Sequence, residues 1–284
     1  MTIAEGEWSE GSGFDLRLGT GPVGRYVASP RTEPDQSPRP YVHPLRTVGG
    51  IDVTDFRPAD HRWHHGLSLA VPSVGPSNLW GGGSWDRAAG GYVDRHDHGS
   101  IRTDSATADA LDGRISSHLS WLDAEGLTVA DEERTLNVAE AGGGWTLDWT
   151  SHVRSLTDLR LGSPGAYGRV GAGYGGLFLR AAPAFRGSRA RTDRSSLVPA
   201  DDLLGVTARW LALTRPDGAA TVVLGTPQDA TWFVRSEEYP GFGPAPFFSR
   251  ETVLAPGEHL EFAVRLWVVD GEPSSREIEY VVAG

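Results

Sequence analysis

The sequence contains no cysteine, and this absence excludes several kinds of chemistry. Disulfides, thiolate metal ligands, iron–sulfur clusters and cysteine nucleophiles all require that residue. Positive charge is also scarce, because 26 basic residues against 37 acidic ones give a formal net charge of −11. Binding to a nucleic-acid backbone depends on clustered Lys and Arg, so we expect no nucleic-acid partner.

Long hydrophobic runs and nucleotide-binding motifs are missing as well. No stretch approaches the roughly 18 consecutive apolar residues that a membrane-spanning helix needs, so no membrane insertion is expected. The first residues, MTIAEGEWSEGSGFDLRL, lack the basic and apolar regions of a secretory signal, which predicts a cytoplasmic protein. There is no GxGxxG that opens a helix and no GxxxxGK[ST], so no nucleotide cofactor is expected. The absence of HExxH and GxSxG likewise argues against a zincin protease and an α/β-hydrolase esterase.

Glycine and proline recur about every eight to twelve residues, the spacing of short strands joined by turns. Residues 259–269 alternate apolar and polar side chains, as do the segments around Ile115 and Trp145. Further strands are predicted over residues 14–18, 39–45, 66–71, 177–181, 206–213, 220–224 and 231–235. Consecutive strands without intervening helices predict an all-β fold, a large antiparallel β-sandwich formed by one domain over residues 1–284. The long loops 30–40 and 163–176 are expected near the functional cleft.

Histidine is concentrated in one part of the chain. Six of the nine histidines lie between His43 and His98, and three of them fall in the segment ADHRWHHG. Imidazole titrates near neutral pH, binds metals and donates hydrogen bonds. If residues 66–71 form a strand, His65 continues its buried face, His64 points the other way, and Asp60 lies in the preceding loop. We therefore predict a polar cleft centred on residues 60–65, with His64 or His65 as a general base oriented by Asp60.

Other polar residues could complete this cleft. The segment RPYVHPLRT places Tyr41 and His43 on one strand face and Arg46 on the other. Arg46 and Arg235 offer planar donors suited to substrate oxygens, and His43 or His152 could act as general acid. Structural hydrogen bonds and ion pairs would explain the same residue types. A divalent metal is a further open alternative, with ligands drawn from His61, His64, His65, His96 and His98.

Tryptophan is abundant, with ten residues in the chain. Trp63 and Trp80 flank the histidines, and the segment NLWGGGSW combines indole rings with glycines that permit close backbone approach. Indole faces stack on sugar rings, so this composition favours a carbohydrate ligand. Core packing would explain many of the tryptophans equally well.

The segments RPYVHPLRT and DHRWHHGLSLAVPSVGPSNLWGGGSW resemble the bacterial family often labelled PmoA-like, a domain of unknown function. The resemblance continues through GGLFLR, TWFVRSEEYPGFGPAPFF and LAPGEHLEFAVRLWVVDG, and so covers essentially the whole chain. It implies an antiparallel β-supersandwich similar to galactose-mutarotase-like domains and a role in carbohydrate metabolism. The motif positions it draws attention to are His43, Arg46, Asp60, His64, His65 and Trp80, although it assigns no roles to them.

These observations together predict a carbohydrate-active enzyme that acts on a sugar or keto-glycoside by histidine acid–base chemistry, with or without a metal. Epimerisation, elimination and hydrolysis remain open as the reaction. Arg46, Arg235 and Tyr41 would bind the substrate, while Trp63 or Trp80 would stack on its ring. Two alternatives are a non-catalytic module that binds a sugar or a partner, and a natural-product tailoring enzyme that uses the same cleft. Exposed strand edges would allow a homodimer.

Overall fold

The computed structural model describes residues 2–19 and 21–282. This part of the chain forms 21 β-strands, three short 3₁₀ helices and one α-helix. The strands are β1 (Thr2–Trp8), β2 (Gly11–Leu18), β3 (Gly21–Pro30), β4 (Tyr41–Leu45), β5 (Leu67–Val74), β6 (Ser77–Leu79), β7 (Ser84–Asp86), β8 (Gly91–Val93), β9 (Ser100–Asp109), β10 (Arg114–Leu122), β11 (Thr128–Ala141), β12 (Gly144–Ser155), β13 (Leu159–Gly162), β14 (Gly176–Arg180), β15 (Arg189–Thr192), β16 (Ser195–Pro199), β17 (Thr207–Thr214), β18 (Ala220–Arg235), β19 (Gly241–Pro244), β20 (Thr252–Leu254) and β21 (His259–Asp270). The 3₁₀ helices cover Pro34–Gln36, Pro183–Phe185 and Ala200–Leu203, and helix α1 covers Ser275–Val282.

Most of the strands pair in antiparallel order into two large sheets. One sheet runs β9–β10–β11–β12–β21–β18–β17–β15–β16. The other runs β1–β2–β3–β4–β5–β14–β19–β18. Strand β18 belongs to both, because its first half pairs with β21 and its second half pairs with β19. Of the other strands, β6 and β13 pair with β5, β20 pairs with β13, and β7 and β8 form a small sheet of their own. The predicted all-β antiparallel architecture is confirmed.

The two sheets enclose a large hydrophobic core, and helix α1 covers a second, smaller apolar cluster that contains Trp210 and Trp267. Six tryptophan side chains are fully buried, which accounts for more than half of the ten in the sequence: Trp121, Trp145, Trp149, Trp210, Trp232 and Trp267. Burying a large apolar side chain contributes about 1.5–3 kcal/mol, so these rings are a main source of stability. Core packing therefore explains most of the tryptophans, and only a few remain for a ligand site.

Two features differ from the sequence prediction. The strands predicted over residues 220–224 and 231–235 are one strand, β18, whose exposed middle around Gln228 lets it pass from one sheet to the other. In the alternation of residues 259–269, Trp267 falls on the same face as the polar residues His259, Glu261 and Arg265, yet it is buried because the apolar side of α1 covers it. The helix begins at a capping box in which Ser274 and Glu277 bond each other's polar groups. None of the described helices is long and apolar enough to cross a membrane.

Candidate functional site

The segment between Asp55 and Gly66 forms an irregular loop that projects several polar side chains. Its ends are joined by a backbone bridge between Phe56 and His65 and by a hydrogen bond from Gly66 N to Asp55 O of 3.0 Å. Two tight turns follow inside the loop, closed by His61 N to Pro58 O and His64 N to His61 O. The loop ends at Gly66, whose φ of +48° and whose closeness to the Val42 carbonyl favour glycine. The two turns bring His61 and His64 face to face, with ring centroids 4.6 Å apart.

A carboxylate links this loop to the neighbouring sheet. Asp60 accepts a hydrogen bond from the His61 ring at Nδ1, 2.8 Å away, and two from Nη2 of Arg180 at 3.0 and 3.1 Å. Burial acts to raise the pKa of Asp60, but the bonds from His61 and Arg180 outweigh it and hold that pKa below its ordinary value. Asp60 is therefore a carboxylate at neutral pH. As an acceptor it fixes the proton of His61 on Nδ1 and leaves Nε2 with the free lone pair.

The neighbouring His64 is held in the opposite tautomer. Arg180 Nη1 lies 3.2 Å from His64 Nδ1, and because a guanidinium can only donate, Nδ1 must accept. Burial, reinforced by the charge of Arg180, lowers the pKa of His64 well below its ordinary value. His64 is consequently a neutral ring with its proton on Nε2, where it can donate a hydrogen bond but is a weak base.

His61 and His64 line a cavity of about 330 Å³. Its walls are mainly aromatic, formed by Trp63, Trp80, Tyr92, Tyr174, Phe233 and Tyr239. Polar side chains at its edge are Arg169, Arg235 and Glu238. A concave site with aromatic walls and a few convergent polar groups is typical of a small-molecule pocket.

The aromatic wall is held in place by a buried arginine. The Arg39 guanidinium donates to the carbonyl oxygens of Trp63 at 2.7 Å and of Trp80 at 3.0 Å. Burial lowers the pKa of Arg39 to about 9, so the group remains charged at neutral pH. Gly81 and Gly82 lie directly against the Trp63 side chain, where an added Cβ would come within 2.4 and 2.6 Å of it. The close packing of Trp63 thus explains two of the three glycines of NLWGGGSW, while Gly83 lies against Tyr92.

Some of the predicted site residues meet at this cavity. His61, His64, Trp63, Trp80 and Arg235 line it, and Asp60 lies behind His61. The loop 163–176 also contributes to the lining, through Arg169, Gly171, Ala172 and Tyr174. The loop 30–40 lies behind the wall instead, where it supplies the buried Arg39.

Three other predicted residues form a separate group next to Phe56, in which Tyr41 and His65 are buried and His43 is half-buried. Tyr41, His43 and His65 pack around its ring with centroids 5.0–5.3 Å away. Burial lowers the pKa of His43 to about 4 and that of His65 well below its ordinary value. None of the three lines the cavity, so the geometry favours structural roles for them.

The remaining predicted residues lie at the protein surface. Arg46 is paired with Asp52 at 2.7 Å, and His152 lies beside Glu261 at 3.2 Å with half of its side chain exposed. His152 is on the outer face of β12, because the other face of that strand packs in the core. Neither residue lines the cavity with His61, so the acid and substrate-binding roles suggested for them gain no geometric support.

The proposed metal ligands are dispersed. His96 is almost fully exposed beside Asp94, while the His98 ring lies 2.7 Å from the Gly82 carbonyl oxygen. Among residues 2–19 and 21–282, no three His, Asp or Glu side chains are arranged to hold a metal ion.

Several residues of the site were not predicted from the sequence. Arg180 joins Asp60 to His64, and its guanidinium lies 4.8 Å above the ring of Tyr239. Tyr239 in turn packs 4.7 Å from His61. Both residues fall in segments that carried the family resemblance, GGLFLR and EEYPGFG, which was the one available signal.

The structure is that of an antiparallel β-sandwich protein with a cavity that has aromatic walls and several polar side chains. The chain belongs to a family of unknown function (DUF6807), whose model matches residues 13–283. This match confirms the resemblance to a family of unknown function, but the name PmoA-like is not confirmed. No curated protein matches the chain significantly.

Solved structures similar to the chain include a galactose 1-epimerase, a galactose mutarotase-like protein and a heparan sulfate lyase. A galactose 1-epimerase from Lactobacillus acidophilus NCFM is 7% identical, with a TM-score of 0.47 and coverage of 95% of this chain and 98% of that one. A galactose mutarotase-like protein from Lactobacillus casei ATCC 334 is 11% identical, with a TM-score of 0.42 and coverage of 94% and 99%. Heparan sulfate lyase HepC from Pedobacter heparinus is 10% identical, with a TM-score of 0.42 and coverage of 96% and 35%. Similarity at this level supports no conclusion about activity.

Proposed function

We propose that this protein is a carbohydrate-active enzyme in which His61 transfers a proton to or from a sugar ring bound in the cavity. The observation that carries the proposal is the 2.8 Å contact between Asp60 and His61 at the cavity wall. A histidine whose Nδ1–H is held by a carboxylate presents Nε2 as a general base, which is the arrangement found in catalytic triads. Nε2 of His61 has no hydrogen-bond partner among the described residues, so a substrate can approach it.

The rest of the cavity supports a saccharide as ligand. The rings of Trp63 and Trp80 offer apolar faces, while Arg235 and Glu238 offer a donor and an acceptor for hydroxyl groups. The volume of about 330 Å³ lies within the range of small-molecule sites, roughly 300–1,000 Å³. This combination of flat apolar walls and few polar groups suits a ring that has both apolar faces and a polar edge.

The residues can be assigned distinct steps. His61 would accept the proton from a carbon next to a carbonyl group or from a hydroxyl group. Glu238, the one carboxylate that lines this cavity in the described part of the chain, would serve as the second acid–base group. His64 would donate a hydrogen bond to the substrate from Nε2 and would stay neutral throughout, because burial lowers its pKa. Epimerisation, elimination and hydrolysis all need such a pair of groups.

The test is turnover of a saccharide panel by wild-type protein and by the His61→Asn variant. The panel contains free aldoses, keto-glycosides and glycosides of uronic acids. Proton NMR in D₂O reports epimerisation and deuterium uptake, ultraviolet absorbance reports an unsaturated elimination product, and a reducing-sugar assay reports hydrolysis. We expect turnover of at least one class, and a loss of kcat of about 10²–10⁴-fold in His61→Asn.

A matched control is His118→Asn, which alters an exposed histidine on β10, in the other sheet from β5 and β14. This variant should keep wild-type activity. Saccharide binding without turnover would refute the proposal that the protein is an enzyme and would indicate a non-catalytic binding module. Turnover that survives His61→Asn would refute the assignment of the base.

A further inference from the structure

A second cavity of about 380 Å³ adjoins the one that contains His61. Trp80, Gly83, Tyr92 and Tyr174 line both, so the two cavities are adjacent, and together they are called the cleft. The Tyr92 and Tyr174 hydroxyl groups are 2.7 Å apart in the shared wall. Each cavity has the size of a small-molecule site, so the cleft offers room for two neighbouring sugar units.

The charge of this cleft is opposite to that of the whole protein. The chain carries a formal net charge of −11, yet four arginines and only two acids line the two cavities. Arg95 is neutralised by Asp86 at 2.5 Å. Arg87, Arg169 and Arg235 have no carboxylate partner among the described residues. A cleft lined by unpaired cations in an acidic protein concentrates anionic ligands.

Arg169 is best placed to bind an anionic group where the two cavities meet. Its guanidinium lies 4.6 Å from the ring centroid of Tyr92 and 5.6 Å from that of Trp85, which lines the second cavity. One N–H donates to the Tyr92 hydroxyl. A guanidinium has five N–H donors, so several remain for a carboxylate, and the contact with Tyr92 fixes the orientation of the planar group.

We infer that the ligand of this cleft is an acidic saccharide of at least two units, with its carboxylate bound by Arg169 and its second unit in the cavity beside Trp85. The inference rests on the proposed function for the position of the reacting ring. It adds the substrate class: a uronate-containing disaccharide or oligosaccharide, rather than a neutral monosaccharide.

The test is isothermal titration calorimetry with matched acidic and neutral ligands. The probes are digalacturonate against galactobiose and cellobiouronate against cellobiose, each compared with its constituent monosaccharides. We expect at least one acidic disaccharide to bind about tenfold or more tightly than its neutral counterpart, as one charge-assisted hydrogen bond allows. Because the preference is electrostatic, it should shrink between about 20 and 500 mM salt.

Variants locate the preference. Arg169→Gln should reduce it at least about fivefold, and Arg169→Lys, which keeps the charge, should retain part of it. The matched control Arg154→Gln changes the net charge equally but removes an ion pair with Asp131 on the outer face of the sandwich, so it should leave the preference intact. Equal binding of acidic and neutral ligands, or a preference that Arg169→Gln retains, would overturn the inference.

The two proposals fail in different ways. If the protein turns over a neutral saccharide but no acidic one, and the turnover depends on His61, the proposed enzymatic function holds and the inferred acidic substrate class is wrong. If an acidic disaccharide binds tightly and through Arg169 but is not turned over with the help of His61, the inferred ligand class holds and the proposed enzymatic function is wrong.

Discussion

Replacing Asp60 by Asn tests the network that orients His61. The substitution keeps the size of the side chain but removes the charge that faces Arg180, whose side chain is only 4% exposed. Removing one partner of a fully buried pair costs about 3–5 kcal/mol. Because the side chain of Asp60 is 44% exposed, solvent screens part of this interaction, and we expect a loss of about 1–3 kcal/mol of unfolding free energy.

The same substitution should reduce activity through the tautomer of His61. A carboxylate can only accept, whereas the Asn amide can donate to Nδ1 and move the imidazole proton to Nε2. The base would then be lost although the ring stays in place. Loss of an orienting carboxylate costs about 10- to 100-fold where it only tunes its histidine and up to about 10⁴-fold in a catalytic triad, so we expect a decrease within that range.

Three measurements check the reasoning. Urea unfolding gives the stability of Asp60→Asn, ¹⁵N NMR reports the tautomer of His61, and kinetics reports activity. The double variant Asp60→Asn/Arg180→Met should be less destabilised than the sum of the single variants, because it also removes the uncompensated cation. Wild-type stability together with an unchanged His61 tautomer in Asp60→Asn would refute this description of the network.

Two further predictions concern buried ionisable side chains, first three neutral histidines and then an ion pair. Burial holds the pKa of His43 at about 4 and those of His64 and His65 well below their ordinary value, so unfolding is coupled to protonation below about pH 6.5. Stability should therefore fall as pH drops from 6.5 towards 4, by at least about 2 kcal/mol at pH 5, and equal urea midpoints at pH 7.5 and 5 would contradict this. Glu132→Gln leaves a fully buried arginine partner unpaired and should cost about 3–5 kcal/mol, whereas the exposed neighbour control Glu133→Gln should change stability by less than about 0.5 kcal/mol.

Most strands could be predicted because apolar and polar residues alternate along a strand that has one buried and one exposed face. The segment predicted over residues 259–269 is the strand His259–Asp270, with Phe262, Val264 and Leu266 on its buried face. The continuity of β18 could not be read in this way, because it depends on which distant strands pair with each half. Helix α1 was missed because its eight residues give only two turns of pattern, although its Ser-x-x-Glu capping box was visible.

The site was predictable only where its residues are close in sequence. The density of histidines drew attention to the loop between Asp55 and Gly66, but strand alternation could not describe the conformation of that loop. The tight turns and the positive φ at Gly66 bury both His64 and His65, the first beside the cavity and the second against Phe56, and leave His61 at the cavity. Arg180 meets Asp60 across 120 residues of sequence, and no local pattern reports such a contact.

The most direct test of the account is a crystal structure of the wild-type protein with a bound saccharide substrate or unreactive analogue. The account predicts a sugar ring against Trp63 or Trp80, with the reacting carbon or oxygen within about 3.5 Å of His61 Nε2. A saccharide bound outside this cavity, or bound within it with no atom near His61, would contradict the central claim.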